Sequence, residues 1–401
     1  MSALDGPLRI GLYAPGYPGL GREGGIATYC GHLARGLASR GHEVHVLTPV
    51  APGETSGDGL VTLHRARPEH VRLLDRAVPG AGPCLRIGGA MRHLVSRYAL
   101  DVVEFPNWEG LGWLYAPARP APLVVRLSTS SRESQEIDGN ATDRRSRWDC
   151  RRERAMARAA DGLVTGSGAH RERMAEELGV DGRSIEVIPP AVPTDPAYRR
   201  PGRRVDGDLR VVFLGRLEAR KGTVDLLMAI PEVVRRVPGV TFTLIGNDRP
   251  HCPGGRTHAR FAEDELPAEA RARIEFAGHL PDIEVQRRVQ AADLFVAPSL
   301  YESFGLIFVE AMRWGVPVVG TRAGGIPEIV DDGRTGTLVA PGRPEELATA
   351  IVSLLRDEPR RLRLGEAGRR EVEARFTVEA FASATEAFYR AVIAHRRGRP
   401  R

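Results

Sequence analysis

A clear alternation of strand and helix patterns occupies residues 8–47, LRIGLYAPGYPGLGREGGIATYCGHLARGLASRGHEVHVL. The apolar run at 8–14 predicts a buried strand, and a glycine-rich loop follows it. From Ile26 to Ser39 apolar residues recur at helical spacing, Gly41 ends that helix, and residues 43–47 predict a second strand. Strand, glycine loop, helix and strand form a βαβ unit, so we expect both strands to lie parallel in one sheet.

The same alternation continues along the chain and predicts an α/β fold with two Rossmann-like doubly wound domains that face a cleft. We expect an N-terminal domain over 1–190, a proline-rich linker over 191–208, a C-terminal domain over 209–376 and a last helix within 377–401. A helix is predicted from Val224 to Val237, and Pro231 is expected to kink or split it. The predicted strands are 101–105, 123–127, 162–166 and 185–189 in the first domain, and 210–215, 241–246, 274–278, 293–298 and 316–320 in the second.

Composition narrows the class of protein. The 401 residues include 42% hydrophobic and 6% aromatic residues, and the formal net charge is +6. The apolar fraction suffices for folded cores, and the length favours two or three domains. Basic runs are solvated surface by default, and an anionic substrate is the next interpretation. No basic stretch is interleaved with aromatic residues, so nucleic-acid binding is not predicted. Association with a membrane surface is the least favoured interpretation of the basic runs.

Cysteine usage and apolar runs suggest a compartment. The four cysteines form no CxxC pair, which favours reduced thiols. His251, Cys252 and His258 do not complete a four-ligand set, so no metal site is predicted. No run of about 18 apolar residues and no charged segment followed by an apolar one is present. We therefore expect a cytoplasmic protein, and the sequence does not predict its oligomeric state.

The first chemically informative motif is GRLEARKG, residues 215–222. It follows a predicted strand and precedes a helix, so Arg216 and Lys221 lie where parallel sheets bind ligands. A guanidinium and an ammonium group together suit a diphosphate and offset its charge as it leaves. The alternative is two solvated basic residues on a loop. The glycine spacing is not that of a Walker A loop.

The second motif is PSLYESFGLIFVEAM, residues 298–312. We expect a helix from about Leu306, with the amides of Phe304, Gly305 and Leu306 directed at an anion. Glu302 precedes this helix, so it suits a hydroxyl of the transferred group, or otherwise a cap. Glu310 lies in an apolar run where an unpaired carboxylate is costly, which favours a role in binding ribose hydroxyls over a solvated position.

These motifs, with the glycine pairs at 24–25 and 324–325, resemble family 4 of the GT-B glycosyltransferases, the retaining group with an E-x7-E signature. The resemblance implies a nucleotide-sugar donor held mainly by the C-terminal domain, retention at the anomeric carbon, no cofactor and no required metal. It also implies that the last helix crosses back to the first domain. In this family Arg216, Lys221 and Glu302 match the catalytic positions. The donor-binding positions are Gly25, Arg216, Lys221, Glu302, Phe304, Gly305, Leu306 and Glu310.

The chain departs from the family pattern after the strand at 123–127. Many members carry a histidine there, whereas this sequence has Ser128-Thr129. A hydroxyl is a poor general base at neutral pH, but a retaining front-face reaction uses the leaving phosphate as its base. A second departure is Pro190 to Val192, where the family often has Asn-Gly-Val.

Acceptor recognition is expected in the first domain. Polar and aromatic groups at strand ends suit a polar acceptor, although loop packing explains them equally well. The candidates are Glu104, Asn107, Trp108, Glu109, Arg126, Ser128 and Arg132.

The sequence therefore predicts a glycosyltransferase that moves a hexose or N-acetylhexosamine, with a UDP-sugar favoured, to a hydroxyl of a small acceptor. Arginine and glycine richness suggests bacterial natural-product (antibiotic) biosynthesis. Lipid or polysaccharide acceptors, a sugar-nucleotide epimerase or hydrolase, and a donor-binding protein without catalysis are the alternatives. A glycosidase is disfavoured because nothing places a second carboxylate across a sugar from Glu302.

Overall fold

The structure is a computed structural model that describes residues 6–20, 24–51, 55–57, 61–139, 143–198, 200 and 207–398. It divides into two compact units. The first comprises residues 1–136, 140–193 and 378–401, and the second comprises residues 137–139 and 194–377. Among the described residues, no helix is long and apolar enough to cross a membrane.

The first unit is built on an eight-stranded sheet in the order β3-β4-β2-β1-β5-β6-β7-β8. Its strands are β1 Arg9–Tyr13, β2 Glu43–Thr48, β3 Thr55–Gly57, β4 Val61–Arg65, β5 Val102–Pro106, β6 Leu123–Leu127, β7 Gly162–Thr165 and β8 Ile185–Val187. The helices are α1 Gly25–Ser39, α2 Arg72–Ala77, α3 Ala81–Tyr98, α4 Ser131–Asp138, α5 Arg144–Ala159 and α6 Gly168–Leu178. All pairings are parallel except that of β3 with β4.

The second unit is built on a six-stranded parallel sheet in the order β11-β10-β9-β12-β13-β14. Its strands are β9 Leu209–Leu214, β10 Val240–Ile245, β11 Ile274–Gly278, β12 Leu294–Val296, β13 Val318–Thr321 and β14 Thr337–Val339. The helices are α7 Thr223–Arg236, α8 His258–Glu265, α9 Ala268–Arg271, α10 Asp282–Gln290, α11 Leu306–Met312, α12 Ile326–Ile329, α13 Pro344–Arg356 and α14 Glu358–Arg375. The order in which strands are added therefore reverses between β9 and β12, and such folds bind ligands beyond the strand ends at this point.

Both faces of the first sheet are buried, which explains the near-continuous apolar runs of its strands. Successive residues of a strand face opposite sides. In β6, Val124 joins the core cluster that contains α1 residues such as Leu33, whereas Val125 joins the cluster that contains α3 residues such as Ile87. The second unit has one main buried cluster, which includes Phe213, Leu226 and Ile351.

The last helix of the described chain is α15, Val378–Arg397, and it belongs to the first unit. Phe381, Ala382, Tyr389, Val392 and Ile393 are its buried apolar residues, and they join the core cluster beside α1. A Cβ atom on Gly36 of α1 would lie 2.9 Å from the Cβ of Ala382, so the two helices approach closely at that glycine. Burial of one apolar face thus holds the chain end on this unit.

The segment predicted as a linker is partly absorbed into the two units. Ala191 and Val192 are buried, and the Ala191 carbonyl lies 2.8 Å from Nδ1 of His32. Further on, the Tyr198 ring packs edge-on against Trp314 at 4.7 Å. Side-chain packing at both ends therefore shortens the connection relative to the predicted 191–208, of which residues 199 and 201–206 lie outside the described part.

The sequence predicts that Pro231 kinks or splits its helix, and the structure shows that the helix is not split. Proline removes one helical hydrogen bond and crowds the preceding turn. Even so, α7 continues from Thr223 to Arg236 with Pro231 inside it. Leu226, Ile230 and Val233 on this helix are fully buried, and this packing outweighs the local penalty.

Candidate active site

The loop after β9, residues 215–222, is tied to the neighbouring strand end. The amide of Gly215 donates to the Ile245 carbonyl at 2.9 Å, and that of Leu217 donates to the Asn247 carbonyl at 3.0 Å. A Cβ atom on Gly246 would lie 1.9 Å from the Gly215 carbonyl oxygen, so only glycine permits this approach. The loop that carries Arg216 and Lys221 therefore has a fixed starting point at the carboxyl edge of the sheet.

The loop after β12, residues 297–305, interlocks with it. The Leu300 amide donates to the Arg220 carbonyl at 2.8 Å. Gly222 has a φ of +64°, and a Cβ atom there would lie 1.9 Å from the Pro298 carbonyl oxygen. This contact joins the two loops at the point where the strand order reverses in the sheet, and it brings Lys221 and Glu302 together.

Lys221 and Glu302 form an ion pair with 2.6 Å between Nζ and Oε1. Oε1 of Glu302 also accepts a hydrogen bond from the Ser299 hydroxyl at 2.9 Å. Burial on its own would raise the pKa of Glu302, but the charges of Lys221 and Arg220 hold it below its usual value. Burial also lowers the pKa of Lys221, and the Glu302 charge opposes that shift. Glu302 is therefore an ionised carboxylate rather than a proton donor at neutral pH.

Around this pair, charges of opposite sign alternate along the loop. Nη1 of Arg216 lies 2.9 Å from Oε1 of Glu218, and Arg216 itself is half exposed. The buried Arg220 lies between two carboxylates, 3.8 Å from Glu218 and 3.7 Å from Glu302. Sequence reasoning missed Glu218 and Arg220, because the pairing of Arg220 with Glu302 joins residues far apart in the chain. Arg216 is thus the cation of this group most accessible to an anionic ligand.

Gly305 begins α11 with a φ of +106°. The side chain of Phe304 is buried, and its ring meets that of Phe376 edge-on at 5.8 Å. Gly324, with a φ of +55°, packs against the Glu302 carbonyl, where a Cβ atom would lie at 2.1 Å. Leu306 is half-buried as the first helical residue, so its amide is one of those without an intrahelical partner.

Glu310 lies within α11 and is half-buried. Among the residues that the structure describes, no donor forms a hydrogen bond with its carboxyl group. Burial raises the pKa of Glu310 to about 7, although the charge of Arg313 acts in the opposite direction. Glu302 and Glu310 therefore have opposite electrostatic surroundings, and they do not contact one another.

Gly25 lies in the first unit, where it is the exposed first residue of α1. The preceding Gly24 has a φ of +143°, and a Cβ atom at either glycine would meet nothing within 4 Å. The backbone at the start of α1 is therefore open on the side where a Cβ atom would point.

Two acceptor candidates, Glu104 and Arg126, are corrected by the structure. They are 3% and 4% exposed, and they pair with each other at 2.8 Å. Tyr389 of α15 donates its hydroxyl to Glu104 at 2.7 Å, and Thr385 lies 3.4 Å from Arg126. Both charged groups are therefore buried inside the first unit beneath α15, where they pair with each other, which disfavours a direct contact with an acceptor.

Asn107 is also unavailable to an acceptor, because it joins two loops of the first unit. It is 1% exposed, and its Oδ1 accepts from both the amide and the hydroxyl of Ser128, at 2.8 and 2.9 Å. Its Nδ2 donates to the Ser128 carbonyl at 3.0 Å. Asn107 therefore positions Ser128 rather than a ligand.

The remaining acceptor candidates lie at the carboxyl ends of β5 and β6. Trp108, Glu109 and Ser128 are half-buried, whereas Arg132 is exposed and pairs with Glu136 at 2.8 Å. Glu109 has a φ of +58°, unusual for a residue other than glycine. The Glu153 carboxylate accepts from the Glu109 amide at 2.8 Å and holds it in this conformation.

The comparisons with known proteins identify the family. The family profile "Glycosyl transferases group 1" matches residues 195–371, and "Glycosyltransferase Family 4" matches residues 23–196. D-inositol 3-phosphate glycosyltransferase 2 of Catenulispora acidiphila is 30% identical over 93% of this chain and 91% of that protein. The chain belongs to glycosyltransferase family 4. The family predicted from the motifs is therefore confirmed, and the protein is a glycosyltransferase.

A second relative of this family 4 glycosyltransferase is named for a different activity. The GDP-mannose-dependent alpha-(1-6)-phosphatidylinositol monomannoside mannosyltransferase of Mycobacterium tuberculosis is 29% identical over 92% of this chain and 95% of that protein. Among solved structures, Anabaena HepE in complex with UDP-glucose matches 97% of this chain and 99% of that chain, with 20% identity and a TM-score of 0.68. This likeness and the two parallel sheets confirm the predicted pair of Rossmann-like domains.

Proposed function

We propose that this glycosyltransferase transfers a hexose or N-acetylhexosamine from a nucleoside diphosphate sugar to a hydroxyl of a small polar acceptor. The transfer retains the configuration at the anomeric carbon and requires no metal ion. The observation that carries the proposal is the buried Lys221–Glu302 ion pair beside Arg216, at the reversal point of the second sheet. Perturbed charged groups at such a point are typical of functional sites.

In this proposal the diphosphate binds to Arg216, Lys221 and the amides that begin α11. Arg216 is half exposed and provides a planar fork for phosphate oxygens, and Lys221 provides a point charge. Both cations stabilise the negative charge that develops on the leaving diphosphate, which is the main electrostatic requirement of the transfer. Glu310 accepts hydrogen bonds from ribose hydroxyls, and Glu302 contacts the sugar.

The base in the reaction is the departing phosphate oxygen. Glu302 is ionised and is neutralised by two cations, so it cannot act as a general acid. With no acid and base pair of carboxylates, the two-carboxylate route of glycosidases is unsuited to this site. The acceptor proton passes to the phosphate on the same face of the sugar, which accounts for retention.

A UDP-sugar is the favoured donor. The support is the solved structure of HepE with UDP-glucose, which has the same fold. The M. tuberculosis relative is named as a GDP-mannose-dependent enzyme, so a GDP-sugar is the first alternative.

The proposed acceptor is a small polar hydroxyl compound. The Catenulispora relative is named as a D-inositol 3-phosphate glycosyltransferase, so a phosphorylated polyol is a suitable first compound to test. Of the predicted acceptor contacts, Glu109, Ser128 and Arg132 are the polar residues that are exposed or half-buried. A role in bacterial natural-product biosynthesis is the narrower proposal, and it rests on composition alone. The mannosyltransferase name of the second relative favours a lipid intermediate as the alternative acceptor.

A thermal-shift screen of UDP-, GDP-, ADP- and TDP-sugars tests the donor proposal. A ligand that binds the folded state raises the melting temperature, and we expect one nucleotide class to do so. Mass spectrometry then identifies the acceptor. Each incubation contains EDTA and one acceptor, which is D-inositol 3-phosphate, a neutral polyol or a lipid-linked compound. Free sugar released without any acceptor would favour a hydrolase. If no nucleotide sugar raised the melting temperature, the result would contradict the proposal.

A further inference from the structure

A buried chain of three polar side chains lies behind the loop 215–222. Asp248 follows β10, His258 is the first residue of α8, and Thr223 is the first residue of α7. Nδ1 of His258 lies 2.9 Å from Oδ1 of Asp248, and its Nε2 lies 2.6 Å from Oγ1 of Thr223. His258 and Thr223 are both fully buried, so this chain cannot itself reach a substrate.

The hydrogen bonds show which group donates and which accepts at each contact between these three side chains. The Asp248 carboxylate accepts from the amides of His258 and Ala259 at 2.8 and 2.9 Å, so it is an acceptor on every side. Nδ1 of His258 must then carry the proton that it shares with Asp248. In the neutral imidazole, Nε2 is an acceptor, and the Thr223 hydroxyl donates to it. The same hydroxyl also lies 3.2 Å from the Glu218 carbonyl oxygen, which accepts from the Lys221 amide at 3.0 Å, so the shorter contact to Nε2 receives the hydroxyl proton.

The positions of these residues connect the two ends of the loop. At its start, Leu217 forms a bridge with Asp248, and its amide donates to Asn247. At its end, Thr223 directly follows Gly222, whose backbone contacts Pro298. The imidazole of His258 therefore links Asp248, which lies beside the start of the loop, to Thr223, which directly follows the end of the loop.

We propose that Asp248, His258 and Thr223 form a brace that positions Arg216 and Lys221 for the donor diphosphate. These three are positioning residues, because none of them touches the donor. The inference rests on the proposed function, since it assumes that this loop binds the donor. A binding loop whose ends are joined through one imidazole loses less conformational freedom when a ligand binds, and its affinity is correspondingly higher.

The brace is tested with Thr223→Val, which keeps the shape of the side chain and removes the hydroxyl, and with Thr223→Ser, which restores it. Thr335→Val is the matched control. The Thr335 hydroxyl is also fully buried and accepts from the Asp331 amide at 2.8 Å, but it precedes the edge strand β14, whereas the loop 215–222 follows the interior strand β9. His258→Gln is a second variant that removes the imidazole.

Two measurements on these variants separate positioning from stability. Hydrogen–deuterium exchange of residues 215–222 is expected to quicken in Thr223→Val and His258→Gln, and to stay at the wild-type rate in Thr223→Ser and Thr335→Val. Titration with UDP and GDP is expected to show about fivefold to tenfold weaker binding in Thr223→Val, with near wild-type binding in Thr223→Ser. The KM for the donor rises by the same factor, and the KM for the acceptor does not change.

The outcomes separate the brace from the donor proposal. If Thr223→Val and Thr335→Val lower the melting temperature equally and leave both exchange of the loop and nucleotide affinity unchanged, the brace is wrong. If the wild-type protein binds neither nucleoside diphosphate, the donor proposal and the positioning role fail together. In that case the exchange measurement still decides whether the three residues hold the loop.

Discussion

At the scale of single residues, Glu302 and Glu310 differ because of what surrounds them. Glu302 is next to Lys221 and near Arg220, which lower its pKa against the effect of burial. Glu310 is half-buried with Arg313 as its principal opposing charge, and its pKa rises to about 7. The same residue type therefore provides a permanent anion at one position and a titrating group at the other.

Replacement of Glu302 by glutamine tests its part in the transfer. The variant frees Lys221 from a competing anion, so we expect the KM for the donor to stay level or fall. The sugar contact is lost, so kcat is expected to fall by about 10²-fold, the size of effect typical for one electrostatic contact in a transition state. Steady-state kinetics with Glu232→Gln, an exposed residue paired with Arg235, serves as the control. A raised donor KM with an unchanged kcat would contradict this role.

The raised pKa of Glu310 predicts a pH dependence of donor binding. Only the ionised carboxylate accepts hydrogen bonds from both ribose hydroxyls, so affinity is expected to fall as pH drops below about 7. The diphosphate of a nucleotide sugar does not titrate in this range. Titration calorimetry from pH 5.5 to 8.5 measures the dependence, and Glu310→Gln is expected to abolish it. A flat wild-type profile would exclude the proposed ribose contact.

Sequence alone predicted that Arg216 and Lys221 follow a strand end, but it did not show which charges neutralise each other. The motif GRLEARKG marks Arg216 and Lys221 because both follow a strand end. Nothing in the sequence shows that Glu104 and Arg126 pair beneath Tyr389, because that contact depends on α15, far along the chain. Such burial is decided by tertiary packing and is not visible in a local pattern.

At the scale of elements, the interlocking of the loops after β9 and β12 depends on glycine. Gly222→Ala puts a Cβ atom 1.9 Å from the Pro298 carbonyl oxygen, so the loops must separate. We expect a loss of more than about 2 kcal/mol in the free energy of unfolding, together with loss of nucleotide binding. Gly342→Ala is the matched control, because its φ is +69° but no atom lies within 4 Å. In that variant the free energy of unfolding falls only by the backbone penalty of about 1–2 kcal/mol. Equal losses in urea denaturation would refute the interlock.

Helix α15 is held partly by Glu386. Burial would raise the pKa of this residue, but hydrogen bonds from Arg40, Arg390 and His42 lower it to about 2. Its contribution to stability is therefore present above its usual pKa of about 4.5 and is lost as pH falls towards about 2. Glu386→Gln should lower the free energy of unfolding by about 1–2 kcal/mol at pH 7, a value reduced for partial solvent screening. Denaturant titrations that give the same difference from wild type at pH 7 and pH 2.5 would contradict this assignment.

Elements with long apolar runs were predicted well, and short or mixed ones were not. The predicted strands at 123–127 and 274–278 coincide with β6 and β11. Strand β14 has only three residues, and β4 reads VTLHR, so neither carries a clear strand pattern on its own. The continuous α7 shows the reverse case, in which packing overrides a strong local signal from Pro231.

At the scale of the whole molecule, the two units repeat one strand arrangement. If the antiparallel strand β3 is set aside, each sheet has its first strand next to its fourth, so each has a reversal point between them. The first unit has the open glycines and the half-buried Glu109 at that point, and the second has the alternating charges. The βαβ pattern at residues 8–47 predicts the sheet, but the division of roles between the units comes from side chains.

In the proposed donor site, the second unit binds the diphosphate through Arg216 and Lys221. Isothermal titration of the 401-residue protein with UDP, and with GDP in parallel, measures this binding. We predict saturable binding of one nucleotide, an affinity at least about 100-fold weaker in the Arg216→Ala/Lys221→Ala double variant, and wild-type affinity in Arg235→Ala. No binding to the wild-type protein, or equal binding to the double variant, would contradict the account.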